Sequence, residues 1–404
     1  MDELHNPFAP GAGSAPPELV GREQVLQQAR LILGRIKAGR HARSALLVGL
    51  RGVGKTVLLN RIQQLAEELG YKALLIEAPE NKRLPALLVP KLRHLLLSLD
   101  RMKGAGAQVK KAIGVLKSFA GACKVKYGEI EFGLDIKPEV GSADSGDLEN
   151  DLPELLVAIA EAAKARTIPV AIIIDEMQYL TEAELSALIM GIHKLSQKRL
   201  PLLLIGAGLP QLVGLTGKSK SYAERLFEFP EIGALNERDA KNALIIPVRK
   251  EGVSFEAAAL NEIYRDTKGY PYFLQEWGYF TWNLATRSPI TLGIVRKAHD
   301  AVIARLDKNF FRVRFDRLTP REKVYLRAMA ELGPGSHRSG EVAKILEVEV
   351  NSVAPLRGGL IKKGMIYSPA HGDTAFTVPL FDEFMKRIIP DLKRSKSKRH
   401  VAPE

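Results

Sequence analysis

Two groups of residues in this chain have the types and spacing to do chemistry on a phosphate ester. The segment Gly49-Leu50-Arg51-Gly52-Val53-Gly54-Lys55-Thr56 fits Gly-x-x-x-x-Gly-Lys-Ser/Thr. Its glycines let the backbone curl so that the N–H groups of Gly49, Gly52, Val53 and Gly54 can face phosphate oxygens, and the helix that follows turns its positive end to the same charge. Lys55 is then placed to contact the β and γ phosphates of a nucleoside triphosphate, and Thr56 to ligate Mg²⁺. The second group ends the apolar run Ala171-Ile172-Ile173-Ile174 in Asp175-Glu176. An acidic pair at the carboxyl end of a buried parallel strand lies at the same sheet edge as a phosphate loop. Asp175 would hold the metal through water, and Glu176 would polarise the attacking water.

These groups need a scaffold, and the surrounding pattern supplies one. Glu23 to Lys37 reads as a helix and Ser44 to Val48 as a short buried strand leading straight into the glycine-rich loop. A helix from about Lys55 to Glu68 follows, ended by Gly70. Next come a strand at Lys72 to Ile76 and an apolar-rich helix at Leu84 to Leu99. Val170 to Ile174 and Leu202 to Ile205 continue the alternation, separated by a helix whose start, Thr181-Glu182-Ala183-Glu184, has capping-box form. Strands alternating with helices predict an α/β fold with at least four parallel strands covered on both faces. Residues 102–150 interrupt the pattern and read as an insertion. Within it, the alternation from Lys124 to Ile136 suggests a hairpin, a surface elaboration of the domain.

Beyond Asn236 the pattern turns helical up to Ala304, with breaks at Gly252, Gly269 and Pro289, which predicts a small helical lid. After Phe310 come helices near Thr319 to Leu332, Gly340 to Leu346 and Asn351 to Lys363, then two short strands near Met365 to Ser368 and Thr374 to Val378. Three helices followed by a two-stranded wing form a winged-helix pattern. The expected organisation is a flexible leader at 1–17, an ATPase-type domain at 18–235, a lid at 236–309, a winged helix at 310–390 and a basic tail at 391–404.

Composition narrows the functional classes. The 404 residues are 46% hydrophobic and 26% charged, enough apolar material for real cores and against wholesale disorder. Cys123 is the only cysteine, which excludes an intrachain disulfide and favours a reducing compartment. The leader carries no basic segment followed by an apolar core, and no apolar run approaches the roughly 20 residues that span a bilayer. A cytoplasmic protein without a membrane partner is therefore expected. The net charge of +13 is concentrated near the C-terminus: from Lys308 onward, 19 Lys and Arg stand against 11 Asp and Glu. Such a bias suits nucleic acid or an anionic surface, or a solvated face.

Leu19-Val20-Gly21-Arg22-Glu23 before the phosphate loop, the Asp-Glu pair, and a helical lid followed by a winged helix together resemble AAA+ P-loop ATPases related to origin-recognition proteins and archaeal-type ATPases. In that family the phosphate loop and acidic pair are the Walker A and Walker B motifs, and the cofactors are ATP and Mg²⁺. The resemblance, which covers about Glu18 to Arg387, implies that Val20 and Gly21 lie against the adenine. It implies that Arg225, just before the predicted strand Phe227 to Phe229, is an arginine finger acting on a neighbouring subunit's ATP, hence a homo-oligomer. It also implies that Pro271, in Gly269-Tyr270-Pro271, approaches the bound nucleotide from the lid. In two respects the chain departs from the family. Strand Leu202 to Ile205 ends in Gly206-Ala207-Gly208, where many relatives carry a polar side chain that senses the γ-phosphate, and the lid offers Gly269-Tyr270-Pro271 where origin-type proteins have an arginine acting in cis; together these imply slow turnover.

In a winged helix the third helix enters the major groove of DNA. Here that helix offers Asn351, Ser352 and Arg357 as base or phosphate contacts, and Lys362 and Lys363 as backbone contacts. The tail Lys393-Arg394-Ser395-Lys396-Ser397-Lys398-Arg399 adds a basic arm. The first reading is an ATPase whose nucleotide state, ATP or ADP, sets binding to double-stranded DNA through the winged helix. The alternative is a slow, nucleotide-held signalling or defence switch whose winged helix binds a protein partner. A helper ATPase for a mobile element is a third.

Overall fold

The computed structural model describes residues 1–11, 13, 16–100, 106–125, 136–370 and 372–392. The chain divides into two units: Gly21–Gly49 with Gly54–Ile232, and Met1–Val20 with Leu50–Val53 and Gly233–Glu404.

The first unit is built on three central strands that are buried from end to end, as strands covered on both faces must be. It runs α1 (Glu23–Lys37), β1 (Ser44–Val48), α2 (Lys55–Glu68), β2 (Lys72–Glu77), α3 (Leu84–Asp100), α4 (Ala107–Ala122), α5 (Leu148–Ala165), β3 (Val170–Asp175), α6 (Glu182–Gln197), β4 (Leu202–Gly208), α7 (Gln211–Ser219), α8 (Ala223–Leu226) and β5 (Phe227–Glu228). All five strands are parallel, in the order β2-β3-β4-β1-β5. Every residue of β1, β3 and β4 is buried. The register pairs Val48 with Gly208 and Ile174 with Gly206, so the carboxyl ends of β1, β3 and β4 share one edge. The capping box on α6 forms as expected, and Glu184 reaches further: its second oxygen accepts the Leu84 N–H at 2.8 Å, so one carboxylate serves the starts of two helices.

Inside 102–150 lies α4, a helix the sequence pattern does not announce, and its Val109, Ala112, Ile113, Leu116 and Phe119 are fully buried in the same core as the sheet. This part of the expected insertion is core. The next turn is folded around Asp151, whose carboxylate accepts the Ser145 N–H (3.1 Å), the Ser145 hydroxyl (2.7 Å) and the Gly146 N–H (2.8 Å). Residues 126–135, the bulk of the expected hairpin, lie outside the described residues.

In the second unit, the lid comprises α9 (Glu237–Lys250), α10 (Ala257–Thr267), α11 (Pro271–Leu284) and α12 (Leu292–Leu306). A π-turn at Asp307–Phe311 and α13 (Arg312–Phe315) lead on to α14 (Pro320–Glu331), β6 (His337–Arg338), α15 (Ser339–Leu346), α16 (Val350–Lys362), β7 (Ile366–Tyr367), β8 (Asp373–Phe376) and α17 (Phe381–Ile388). The three expected helices and two strands are present. β6, which the pattern does not announce, joins them to make an antiparallel sheet in the order β6-β8-β7. Lid and C-terminal module share one core, in which Phe311 stacks on Phe384 and meets Phe273 and Phe381.

The leader is also tied down at its start, contrary to expectation. Phe8 is 2% exposed. Asn6 donates to the Tyr279 carbonyl (3.0 Å) and to Asn283 (2.6 Å), and the Trp282 indole donates to the Asp2 carbonyl (2.9 Å). Gly278 makes this possible, because a Cβ there would sit 2.6 Å from the Phe8 ring.

Candidate nucleotide site

At the carboxyl edge of β1 the chain turns sharply. Gly52 and Gly54 adopt φ of +80° and +91°, a region that side-chain-bearing residues enter only with strain. That turn brings Lys55 back over its own loop, where its ammonium is buried and donates to the Gly49 carbonyl at 2.8 Å. The Gly49 N–H in turn donates to Gly208 at 3.2 Å, which pins the loop to β4. Gly54 is the N-cap of α2 and brings no side chain to cap it, so the first turn of the helix keeps donors for an anion.

Asp175 ends β3 facing Thr56. The Thr56 hydroxyl donates to its Oδ2 (2.6 Å) and the Glu176 N–H to its Oδ1 (2.8 Å). Burial pushes the Asp175 carboxyl above its usual range. The Thr56 bond and the Lys55 charge act against this, and the Glu176 charge adds to it. A hydroxyl and a buried carboxylate side by side are hard oxygen donors whose desolvation a cation would relieve. Mg²⁺ typically takes one or two such protein oxygens and completes its shell with phosphate and water. Among the described residues no cluster of three or more His, Cys, Asp or Glu offers a different kind of cage. The site therefore suits Mg²⁺ held by Thr56 and Asp175.

Glu176 follows in a left-handed conformation, φ +55°, and its carboxylate accepts from the Gln178 amide. The sequence reading missed Gln178; its only signal there is a position two residues after the acidic pair.

β4 extends through Gly206-Ala207-Gly208 instead of stopping before them. The missing polar side chain now has a steric cause. A Cβ on Gly206 would collide with Met177 and Leu46, and one on Gly208 would lie 2.9 Å from both Gln178 Oε1 and Leu212.

The remaining site residues fall as follows. Val20 is half-buried, and the Gly21 N–H donates to Glu23 at 3.1 Å. Arg225 is exposed on α8, and its side chain has no bonded partner among the described residues. In the second unit Pro271 is the first residue of α11, a position where its missing N–H costs nothing. The following Tyr272 N–H donates to the Gly52 carbonyl at 3.2 Å, and the Arg51 N–H donates to the Thr377 carbonyl at 3.0 Å.

On α16, Asn351, Ser352 and Lys362 are exposed. Arg357 and Lys363 are engaged internally: Arg357 donates to Ser368 (2.7 Å) and to the Asp373 carbonyl (2.9 Å), and Lys363 pairs with Glu322 at 2.7 Å. The basic tail lies outside the described residues.

A five-stranded parallel sheet with a Gly-rich loop cradling its own lysine, a hydrogen-bonded Thr-Asp pair and an adjacent glutamate defines a P-loop ATPase domain. Residues 18–205 match the AAA ATPase domain, and this part of the chain is an AAA+ ATPase domain. Residues 308–385 match a domain of unknown function, DUF8462. Among solved structures, the Walker-type ATPase of Pyrococcus abyssi aligns at 16% identity over 92% of this chain and 97% of that one, with a TM-score of 0.59. The RuvB Holliday junction branch migration motor of Thermotoga maritima aligns at 17% identity over 89% and 94%, with a TM-score of 0.45. The Orc1 protein of Aeropyrum pernix, solved in complex with DNA, aligns at 16% over 93% and 94%, also at 0.45. At 16% identity the Pyrococcus abyssi structure speaks to fold alone. A comparison with curated proteins finds no match. No helix among the described residues is long and apolar enough to cross a membrane.

Proposed function

We propose that the chain binds ATP with Mg²⁺, hydrolyses it slowly, and uses its nucleotide state to control binding of double-stranded DNA through the C-terminal module, read as a winged helix. The observation that carries the nucleotide part is the Thr56 hydroxyl donating at 2.6 Å to the buried Asp175 carboxylate, which also feels the Lys55 charge. Lys55 and the loop N–H groups of Gly52, Val53 and Gly54 bind and orient the phosphates, while Gly49, its N–H given to Gly208 and its carbonyl to Lys55, holds the base of the loop. Bound Mg²⁺ would supply Lewis-acid charge neutralisation. Glu176 orients water for in-line attack and accepts its proton. Arg225, exposed and without a bonded partner among the described residues, is available to act in trans in a homo-oligomer. Val20, Gly21 and Pro271 are assigned to the nucleotide by resemblance alone.

For the DNA part, support comes from the exposed Asn351, Ser352 and Lys362 on α16 and the basic excess of the last quarter. Arg357 and Lys363 are demoted from DNA contacts to residues that hold the module together. A second reading, a nucleotide-held switch that binds protein, is favoured by a specific bond. The Arg51 N–H of the phosphate loop donates to Thr377 of the C-terminal module, so the loop tip and that module are coupled within one unit.

Steady-state ATP turnover with and without duplex DNA, at low and near-physiological salt, tests the proposal. Stimulation that survives the higher salt supports ATP-controlled DNA binding. Slow turnover indifferent to DNA favours the protein-binding switch, and no turnover with the chain folded and nucleotide bound rejects the hydrolase reading.

A further inference from the structure

Gln178 sits on the single 3-10 turn Met177–Tyr179 that follows the acidic pair, with 8% of its surface exposed. Its amide is bonded at both ends. Oε1 accepts the N–H of Leu209, the first residue beyond β4, at 3.1 Å, and Nε2 donates to Glu176 Oε2. Gly208 makes the room: any Cβ there would press on Gln178 Oε1 at 2.9 Å. The end of β4 therefore bears no polar side chain, and the space beside it is filled by an amide that reaches across from the β3 side.

We propose that Gln178 is a positioning residue for hydrolysis, which aims the Glu176 carboxylate and anchors it to the end of β4 in place of the polar side chain that β4 lacks. The proposal rests on the reading of Glu176 as the residue that orients water. Two features make the arrangement suited to that task. Glu176 sits in a left-handed conformation, so its side chain leaves the sheet on a short turn whose backbone is held by the Glu176 N–H bond to Asp175 and the Tyr179 N–H bond to the Glu176 carbonyl. A carboxylate on such a turn has several rotamers, and a general base must lie within hydrogen-bond reach of the water it activates. An amide donor to one carboxylate oxygen selects one rotamer, and because the same amide is bonded to the Leu209 backbone, that rotamer is registered to β4. Gln is the residue type that fits: it has one acceptor for an N–H and one donor for a carboxylate in a single planar group.

The test is steady-state ATP hydrolysis by the full chain, with nucleotide affinity and thermal midpoint measured alongside, for wild type, Gln178→Ala, Gln178→Glu and Glu176→Gln. Gln178→Ala is expected to lower kcat roughly tenfold to a hundredfold with KM and nucleotide affinity nearly unchanged. Gln178→Glu keeps the acceptor for Leu209 but replaces the donor to Glu176 with a carboxylate, so kcat is expected to fall as in Gln178→Ala while KM, nucleotide affinity and the thermal midpoint hold, a split that a merely structural residue would not give. If Gln178→Ala unfolds the protein, the kcat of Gln178→Glu decides alone. Wild-type or raised kcat in a folded Gln178→Ala or Gln178→Glu overturns the proposal while an inactive Glu176→Gln leaves the hydrolase reading standing. Full turnover in Glu176→Gln would remove both.

Discussion

The Thr56 hydroxyl donates to Asp175 across 2.6 Å, so the two oxygens best suited to Mg²⁺ face each other directly. Burial holds the Asp175 carboxyl above its ordinary value of 3.8. The sign of the linkage follows: a carboxyl whose folded pKa is raised destabilises the metal-free fold as pH rises from 3.8 through the raised value, the reverse of an ion-paired carboxylate. Mg²⁺ binding needs the deprotonated form. The thermal stabilisation given by Mg²⁺ with nucleotide should therefore be full at neutral pH and shrink as pH falls into Asp175's range. Asp175→Asn should leave the metal-free protein as stable or more stable, by about 1 kcal/mol, and remove the Mg²⁺-dependent shift. Melting curves with and without metal check both, and a retained shift would show that Asp175 does not bind the ion.

Lys55 is buried and closes the loop on Gly49. Lys55→Ala removes that buried bond and should cost about 1.5–3 kcal/mol of stability, so the variant's fold is checked by its melting midpoint. A charge-assisted hydrogen bond is worth about 1.5–3 kcal/mol, and losing one or two to phosphate predicts at least a tenfold to hundredfold fall in ATP affinity. Titration calorimetry reads it directly; unchanged affinity would refute the site.

Gly206 separates a missing function from a forbidden one. Because a Cβ at Gly206 meets Met177 and Leu46, Gly206→Ser should destabilise the sheet by about 1–3 kcal/mol or more, as overpacking does, and should not restore a γ-phosphate sensor. Denaturant midpoints beside turnover check this. Faster turnover at undiminished stability would mean that the absent side chain, and not the packing, limits the rate.

How much of this was legible depends on how far apart the determinants lie. The loop, the acidic pair, the strands and the Thr181–Glu184 cap are local patterns, and each formed where its residues predicted. The helix Ala107–Ala122 was legible in principle, since Val109, Ala112, Ile113, Leu116 and Phe119 repeat at helical spacing, but the Gly and Lys residues around them hid it within what reads as an insertion. The internal roles of Arg357 and Lys363 were not legible, because Ser368, Asp373 and Glu322 meet them only after the module folds. Gln178 had no motif of its own; its meaning comes from Leu209 and Gly208 on another strand.

That contrast on α16 gives a paired prediction. Lys362 is exposed, so Lys362→Ala should leave the melting midpoint alone and, if the module binds DNA, weaken binding with a salt slope reduced by about 0.9. Arg357→Ala breaks the bonds that tie the helix to Ser368 and Asp373 and should cost about 1–3 kcal/mol of stability whether or not DNA is present. A Lys362→Ala protein with an unchanged salt slope would take this helix face out of the DNA reading.

The N-terminal segment should behave as part of the lid. The Phe8 ring lies where Gly278 leaves a hole in the surface of α11, and Asn6 and the Asp2 carbonyl fasten the chain on either side of it. Removing a buried phenyl ring costs about 3–5 kcal/mol. Phe8→Ala should approach that figure if the segment stays docked, and fall short of it if the segment simply lets go, because the hole then hydrates from one side. Gly278→Ala attacks the same contact from the helix, adding a Cβ within 2.6 Å of the ring while raising helix propensity by up to about 1 kcal/mol. A net loss in Gly278→Ala that disappears in the Phe8→Ala background is therefore the signature of docking. Urea denaturation of the two single variants and the double variant measures it, and additive effects would mean that Phe8 and Gly278 do not meet in solution.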